Sequence, residues 1–148
     1  MSLNILTSKN FTVSNKLENK LNQAFTLICN EENISNCSVN LKILDNNEIR
    51  ELNKKYSNKN SPTNVLSFTN EDISKSITGD LGDIAISYEY VKEESNEQNK
   101  KFDDHLIHML IHGVYHILGF DHKNNKMADL MESKEVKLLK QLNIKNPY

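Results

Sequence analysis

The sequence predicts an α+β fold in which about four strands form a mixed sheet, with several helices packed on it and one unusually apolar helix at its centre. Three observations carry this. Residues 37–44 alternate Val39, Leu41 and Ile43 against Ser38, Asn40 and Lys42, the two-residue period of a half-buried strand. Two further runs, Pro62-Thr-Asn-Val-Leu-Ser-Phe68 and Leu81-Gly-Asp-Ile-Ala-Ile-Ser87, have the length and apolar content of strands. Apolar residues recur at helical spacing over 15–31, over 100–118 and from Met127 to Leu142.

In chain order, Leu3 to Leu6 makes a first short strand. Ser14 then stands as a helix N-cap, with Glu18 near the position of a capping partner. Leu17, Leu21, Ala24, Phe25 and Ile28 form the inward face of a helix over 15–31 that covers the sheet. After the strand at 37–44, Asp45 or Asn46 caps a second helix, whose Ile49, Leu52, Lys55 and Tyr56 lie on related faces up to an Asn-rich break near Ser57 to Asn60. Pro62 admits the next strand, since proline is tolerated where a strand begins, and the polar Thr69 to Asp80 makes a long connection. Tyr88 to Asn99 is charged and helix-compatible. In the helix over 100–118, Leu106, Ile107, Leu110, Ile111, Val114, Ile117 and Leu118 cover so much of the circumference that it belongs in the interior, against the sheet. Met127, Leu130, Met131, Val136, Leu138, Leu139 and Leu142 mark a closing amphipathic helix.

At 148 residues the chain fits one domain, 1–148, large enough to bury a core without disulfides or oligomerisation. With 37% hydrophobic and 26% charged residues it has the composition of a soluble globular protein. No window approaches the ~20 apolar residues of a membrane span. The N-terminus lacks a charged region followed by an apolar one, so a cytoplasmic location and no membrane partner are expected. Cys29 and Cys37 lack CxxC spacing and are expected to be free, partly buried thiols. A net charge of −2 gives no global attraction to nucleic acid, although local basic clusters can still meet phosphates. The chain is rich in Asn and Lys and holds one arginine, Arg50, a bias that makes Asn a poor loop marker.

All five histidines, His105, His108, His112, His116 and His122, fall in one region. At about 100° per residue, His112 and His116 project from one side of a helix, one turn apart. Gly119 stands where a helix commonly ends, and the turn there swings His122 back toward the same point. Three imidazoles thus converge on one metal ion, with a fourth position open. His105, His108, His112 and His116 share an arc of about 80° that the apolar residues leave free. A rival trio of His108, His112 and His116 spreads over about 12 Å along a straight helix, too far for tetrahedral bonds of roughly 2 Å. His112, His116 and His122 are therefore the preferred ligands, and His105 and His108 are expected nearer the surface or bonded within the helix. One zinc ion is the default, with nickel or another divalent transition metal also suited to imidazole. Three protein ligands and an open position form a catalytic arrangement, in which metal-bound water reaches a pKa near ~7 and acts as nucleophile. The reaction class is hydrolysis.

The spacing His112-x-x-x-His116-x-x-Gly119-x-x-His122 resembles that of the metzincin metalloproteases, but Gly113 stands where their general-base glutamate would be. General base catalysis contributes roughly 10² to 10⁴ in rate, so a peptidase built this way would be feeble. Three segments resemble the YbeY endoribonucleases: His112-Gly-Val-Tyr-His-Ile-Leu-Gly-Phe-Asp-His122; Glu51-Leu-Asn53 followed by Pro62 to Phe68; and Leu81 to Ser87. The likeness runs from about Arg50 to the closing helix. It implies a zincin- or metzincin-like α+β core with zinc on His112, His116 and His122. It also implies a single-strand-specific endoribonuclease acting in maturation of the 3′ end of 16S rRNA and in ribosome quality control. Single-stranded RNA, ribosomal RNA and the small ribosomal subunit are the implied partners. One motif position departs: the family has an arginine after the tyrosine matching Tyr56, and this chain has Ser57. Lys54, Lys55 and Lys59 are candidates to supply the positive charge. Asp83 and Asp121 are candidates to orient a ligand or accept a proton, with strand-end and turn hydrogen bonding as their other reading. A zinc peptidase, and a non-catalytic ribosome assembly factor with a structural metal, remain as alternatives.

Overall fold

The computed structural model describes residues 2–71 and 79–148. Its elements are β1 (Ser2–Thr7), α1 (Asn15–Glu31), β2 (Ser38–Leu44), α2 (Asn46–Ser57), β3 (Val65–Thr69), β4 (Asp80–Ser87), α3 (Tyr88–Glu97), α4 (Phe102–Ile117) and α5 (Asn125–Gln141). The expected Thr69 to Asp80 connection falls mostly at 72–78, outside the described residues. Strand β3 starts later than expected. Pro62 and Thr63 precede the ladder, which opens at Val65, where Asn64 Oδ1 accepts the Val65 N–H at 2.7 Å.

The sheet order is β1-β2-β4-β3, with β1, β2 and β4 parallel and β3 antiparallel to β4, so the sheet is mixed as expected. Strand alternation sorts its two faces. Val39, Leu41, Ile43, Ile84 and Ile86 are fully buried in one cluster with the apolar faces of α1, α4 and α5. Asp83 and Ala85 point the other way, into a recess of about 180 Å³ shared with Lys42, Phe68 and, from α2, Leu52 and Tyr56. Helix α4 is the most deeply enclosed, with Leu106, Ile107, Leu110 and Ile111 all inaccessible. Each such side chain contributes about 1.5–3 kcal/mol relative to exposure.

Ser14 Oγ accepts from Leu17 N at 3.1 Å, and Asp45 rather than Asn46 caps α2. Asp45 and Glu48 bond each other's backbone N–H groups reciprocally, at 2.8 and 3.2 Å. Asn46 is used differently: Ser87 Oγ donates to its side chain at 2.6 Å, joining α2 to the end of β4. Asn53 is buried and donates to Ser61 O at 2.9 Å, holding the chain that leads from α2 toward β3. The expectation about asparagine is corrected. Asn33, Asn58, Asn99 and Asn143 end α1, α2, α3 and α5 with φ between 54° and 60°. Asparagine adopts this left-handed conformation more readily than other non-glycine residues because its short amide can bond locally, so here it is the helix stop signal. Cys29 and Cys37 are free as expected but more buried than expected, with Sγ atoms 3.2 Å apart. Burial, reinforced by Cys37, pushes the Cys29 thiol up to about 12. Among the described residues no helix is long and apolar enough to cross a membrane.

His105 and His108 also correct an expectation. Both are buried, at 4% and 5% exposure, and their ring nitrogens bond to other helices. His105 Nε2 lies 3.0 Å from Glu94 Oε1 on α3, and His108 Nε2 lies 2.7 Å from Glu135 Oε1 on α5. Burial lowers the His105 pKa below its ordinary 6.5 despite the opposing pull of Glu94. Above pH 6.5 the ring is neutral in folded and unfolded chain alike, and no pH-dependent stability arises from it. As pH falls through 6.5 toward the folded value, the unfolded chain binds the proton first and the fold loses stability. An NMR titration of the His105 ring should give a midpoint below 6.5, and Glu94→Gln should lower it further; a midpoint above 6.5 would mean that Glu94 outweighs burial.

Candidate metal centre

The helical half of the site follows from α4 alone. His112 and His116, one turn apart, bring their Nε2 atoms to 3.1 Å and their rings to 4.6 Å. The third histidine depends on how α4 ends. Gly119 takes φ 98°, its N–H donates to His116 O, and Phe120 N–H reaches back to Tyr115 O, both at 3.0 Å. These two bonds form a Schellman motif, and the Phe120 ring packs edge-on against Tyr115 at 5.3 Å. The chain thus turns off the helix axis and sets the His122 ring 5.0 Å from His116 and 5.7 Å from His112. One ring nitrogen from each histidine lies within 4.8 Å of the others. His112 and His116 are half-buried and His122 is exposed.

The three rings face a recess of about 420 Å³ whose opposite wall is β3, through Asn64 to Ser67 and Thr69. Ser67 also ties β3 to the helix, its Oγ donating to Gly113 O at 3.2 Å. A Cβ placed on Gly113 would sit 3.1 Å from two Ile84 side-chain carbons and from Ser67 Oγ. Glycine here lets α4 approach the sheet, and a larger side chain would press on Ile84 and Ser67, which would have to give by a few tenths of an ångström.

The other sequence candidates are distributed around this centre. Asp121 Oδ1 accepts the His122 backbone N–H at 2.7 Å, and its other oxygen lies 3.8 Å from Lys123 Nζ. Asp83 accepts from Asn40 at 2.9 Å and lies 3.7 Å from Lys42 Nζ, on the sheet face away from α4. Lys54, Ser57 and Lys59 are exposed at the end of α2, and none of them lines the histidine recess. Tyr56 packs on Phe68 of β3, centroids 5.2 Å apart, with Lys55 Nζ 5.2 Å from the Tyr56 ring.

One residue essential to the geometry was missed in the sequence. Glu135 on α5 is fully inaccessible, and its carboxylate meets His108 Nε2 at 2.7 Å, Tyr148 Oη at 2.8 Å and His112 Nδ1 at 3.1 Å. Burial alone would raise its pKa, but the bonds from His108 and His112 outweigh burial and bring it down to about 2. The signal was there to read: Glu135 falls four residues after Met131 and four before Leu139, in the middle of the buried stripe of α5.

His116 is held below the ordinary histidine pKa by burial first and by its neighbours His112 and His122 second, so it is neutral at pH 7. The Nε2 atoms of His112 and His116 face each other at 3.1 Å, and with His122 the three rings each bring a nitrogen close enough to share one cation. The residues therefore fit a metal ion, and three neutral imidazole donors suit zinc and its divalent transition-metal neighbours.

The family described as Endoribonuclease YbeY matches residues 4–143 of this chain. The chain belongs to that family. The endoribonuclease YbeY of Francisella philomiragia subsp. philomiragia is 39% identical over 152 aligned positions, covering 100% of this chain and 95% of that protein. The YbeY of Francisella tularensis subsp. tularensis is 44% identical over 126 positions, covering 82% and 75%. The solution structure of TM1509 from Thermotoga maritima is similar with a TM-score of 0.65 and 26% identity, covering 96% of this chain and 92% of that one. The YbeY match begins at residue 4, so it takes in β1 and α1, where the sequence motifs were silent.

The Gly119 turn gives a direct test. Nothing lies within 4 Å of a Cβ at this position, so Gly119→Ala adds backbone strain without a clash. It should cost roughly 1–2 kcal/mol in chemical denaturation, the penalty of a left-handed alanine. It should also weaken metal binding in a competition titration by displacing His122; unchanged stability and affinity would count against the turn as the device that delivers the third ligand.

Proposed function

We propose that the chain is a metal-dependent endoribonuclease that cleaves single-stranded RNA, with zinc on His112, His116 and His122. Its substrate in this reading is ribosomal RNA, at the 3′ end of 16S rRNA during maturation of the small ribosomal subunit and in ribosome quality control. The observation that carries the reading is the convergence of three imidazoles on an open recess, in a chain whose relatives bear the name endoribonuclease. A metzincin-like core is part of it, since the histidine spacing and the strand β3 alongside the helix are the features on which that likeness rests.

Zinc held there supplies Lewis acidity toward a phosphoryl oxygen and toward water. The protein's own residues do the rest. Burial keeps His116 neutral, Asp121 steadies the turn that carries His122, and the β3 wall bearing Asn64, Ser67 and Thr69 faces a strand laid in the recess. Gly113, walled by Ile84 and Ser67, favours this reading over a peptidase, which needs a carboxylate beside the metal as general base. Purified protein should cut a labelled single-stranded RNA in preference to its duplex, lose activity to a chelator and regain it with zinc. His116→Ala should fall by at least about 10², the loss typical of removing one preorganised electrophilic group. Equal cleavage by wild type and His116→Ala would sink the proposal.

The end of α2 offers a second test. Phosphodiester cleavage builds negative charge on phosphoryl oxygens, and a donor or cation aimed there contributes on the order of 10² to 10³ in rate. Tyr56 anchors the end of α2 to β3, the strand that also walls the recess, and Ser57 follows it. Ser57→Arg should raise single-turnover cleavage at saturating metal, Lys54→Ala or Lys59→Ala should lower it, and metal affinity should not change in any of them. No change in cleavage across all of them would remove this helix end from the active site.

A further inference from the structure

The geometry assigns Glu135 as the positioning residue of the metal centre: its buried carboxylate selects the ring form of His112 that leaves Nε2 free to bind metal. The inference rests on the metal reading above and deepens it. An ionised carboxylate only accepts hydrogen bonds, so each of its three partners must supply the hydrogen. His112 therefore carries its proton on Nδ1, 3.1 Å from Glu135 Oε2. Its Nε2 is then a bare electron pair, and it is this atom that faces His116 Nε2 at 3.1 Å.

The other oxygen of Glu135 is clamped, which is what makes the selection firm. Tyr148 Oη donates to Oε1 at 2.8 Å and His108 Nε2–H donates to it at 2.7 Å. With both oxygens held from different directions, the carboxylate plane cannot rotate away from His112. His108 gives an independent check on which partner donates. Its Nδ1 is buried with no hydrogen-bond partner among the described residues. A proton there would be a buried donor without an acceptor and would turn the bare Nε2 electron pair toward Glu135 Oε1 at 2.7 Å, so the His108 proton belongs on Nε2, facing the carboxylate. The histidine that the sequence offered as a rival ligand thus acts one step behind the site, holding the group that orients His112.

Replacing Glu135 by glutamine keeps shape and volume but swaps an acceptor for an amide NH₂. At least one of the three donors then meets another donor. Where that one is His112, the ring is driven to carry its proton on Nε2, the ligand position.

Three measurements on the full chain test this. Zinc affinity, by competition with a chromophoric chelator, should fall about 10- to 100-fold in Glu135→Gln, the usual effect of losing a partner that orients a metal-bound histidine. Tyr148→Phe, which removes one clamp and leaves Glu135 in place, should lose a smaller factor, at most about 10-fold, the weak end of that range. In metal-free wild type at pH 8, nitrogen-15 NMR should show His112 protonated at Nδ1, a result that needs no variant to fold. A His112 ring protonated at Nε2 would overturn the assignment, as would a Glu135→Gln protein that melts lower but binds zinc as tightly as wild type. Failure of wild type itself to bind zinc would bring down the metal reading and this one with it; full-strength binding by both wild type and Glu135→Gln would bring down this one alone.

Discussion

Helix α4 is buried along most of its length yet carries four imidazoles, and that conflict organises the protein around it. A polar group taken out of water and left unpaired costs about 1–3 kcal/mol, so a helix of this kind needs a partner for each ring inside the fold. Glu94 on α3 meets His105, and Glu135 on α5 meets both His108 and His112. These bonds pin the two flanking helices in register against α4 in a way that apolar packing alone, which tolerates sliding, would not. His116 lies at the open end, its Nε2 3.1 Å from that of His112 and its ring 5.0 Å from that of His122.

Burial along the row then separates two jobs that the sequence presents as one. His105 and His108 sit at the closed end at 4% and 5% exposure, bonded to carboxylates. His112 and His116 are half-exposed, and His122 is exposed on the turn beyond. A nitrogen already bonded to a carboxylate in the interior is not free to act as a donor toward the recess. His112 stands at the junction, one nitrogen turned toward the interior carboxylate and the other toward the recess.

The parts of this arrangement that depend on local chain geometry were legible in the sequence. Periodicity marked α1 and α4, alternation marked β2, and the four-residue spacing with Gly119 and His122 picked out the three histidines that converge, because helix pitch and a glycine turn are local matters. What escaped was set by tertiary contact. His105 and His108 share the polar arc of α4, and only the positions of α3 and α5 make that arc interior at one end and open at the other. Asp83, two residues from Ala85 on β4, faces away from α4 because of strand alternation once pairing fixes which side Ile84 takes. The asparagines at the helix ends were discounted as composition, although their recurrence after each amphipathic stretch was itself a positional signal.

Gly113 shows how one position narrows the chemistry that a familiar spacing can support. It lies between two recess-facing histidines on the side of α4 that touches the sheet, where Ile84 and Ser67 already stand 3.1 Å from where its Cβ would be. A larger side chain there would press on both of these side chains, and the Ser67 hydroxyl is already bonded to Gly113 O. The close sheet contact thus favours glycine at 113 over an acid–base side chain. Glu135 does not substitute, because it is enclosed behind His112 and all its hydrogen bonds run to ring nitrogens and a hydroxyl. Asp121 accepts the backbone N–H of His122, the third histidine of the cluster. Glu135 and Asp121 are thus both engaged in holding the histidines, and β3 forms the wall that faces the three rings across the recess.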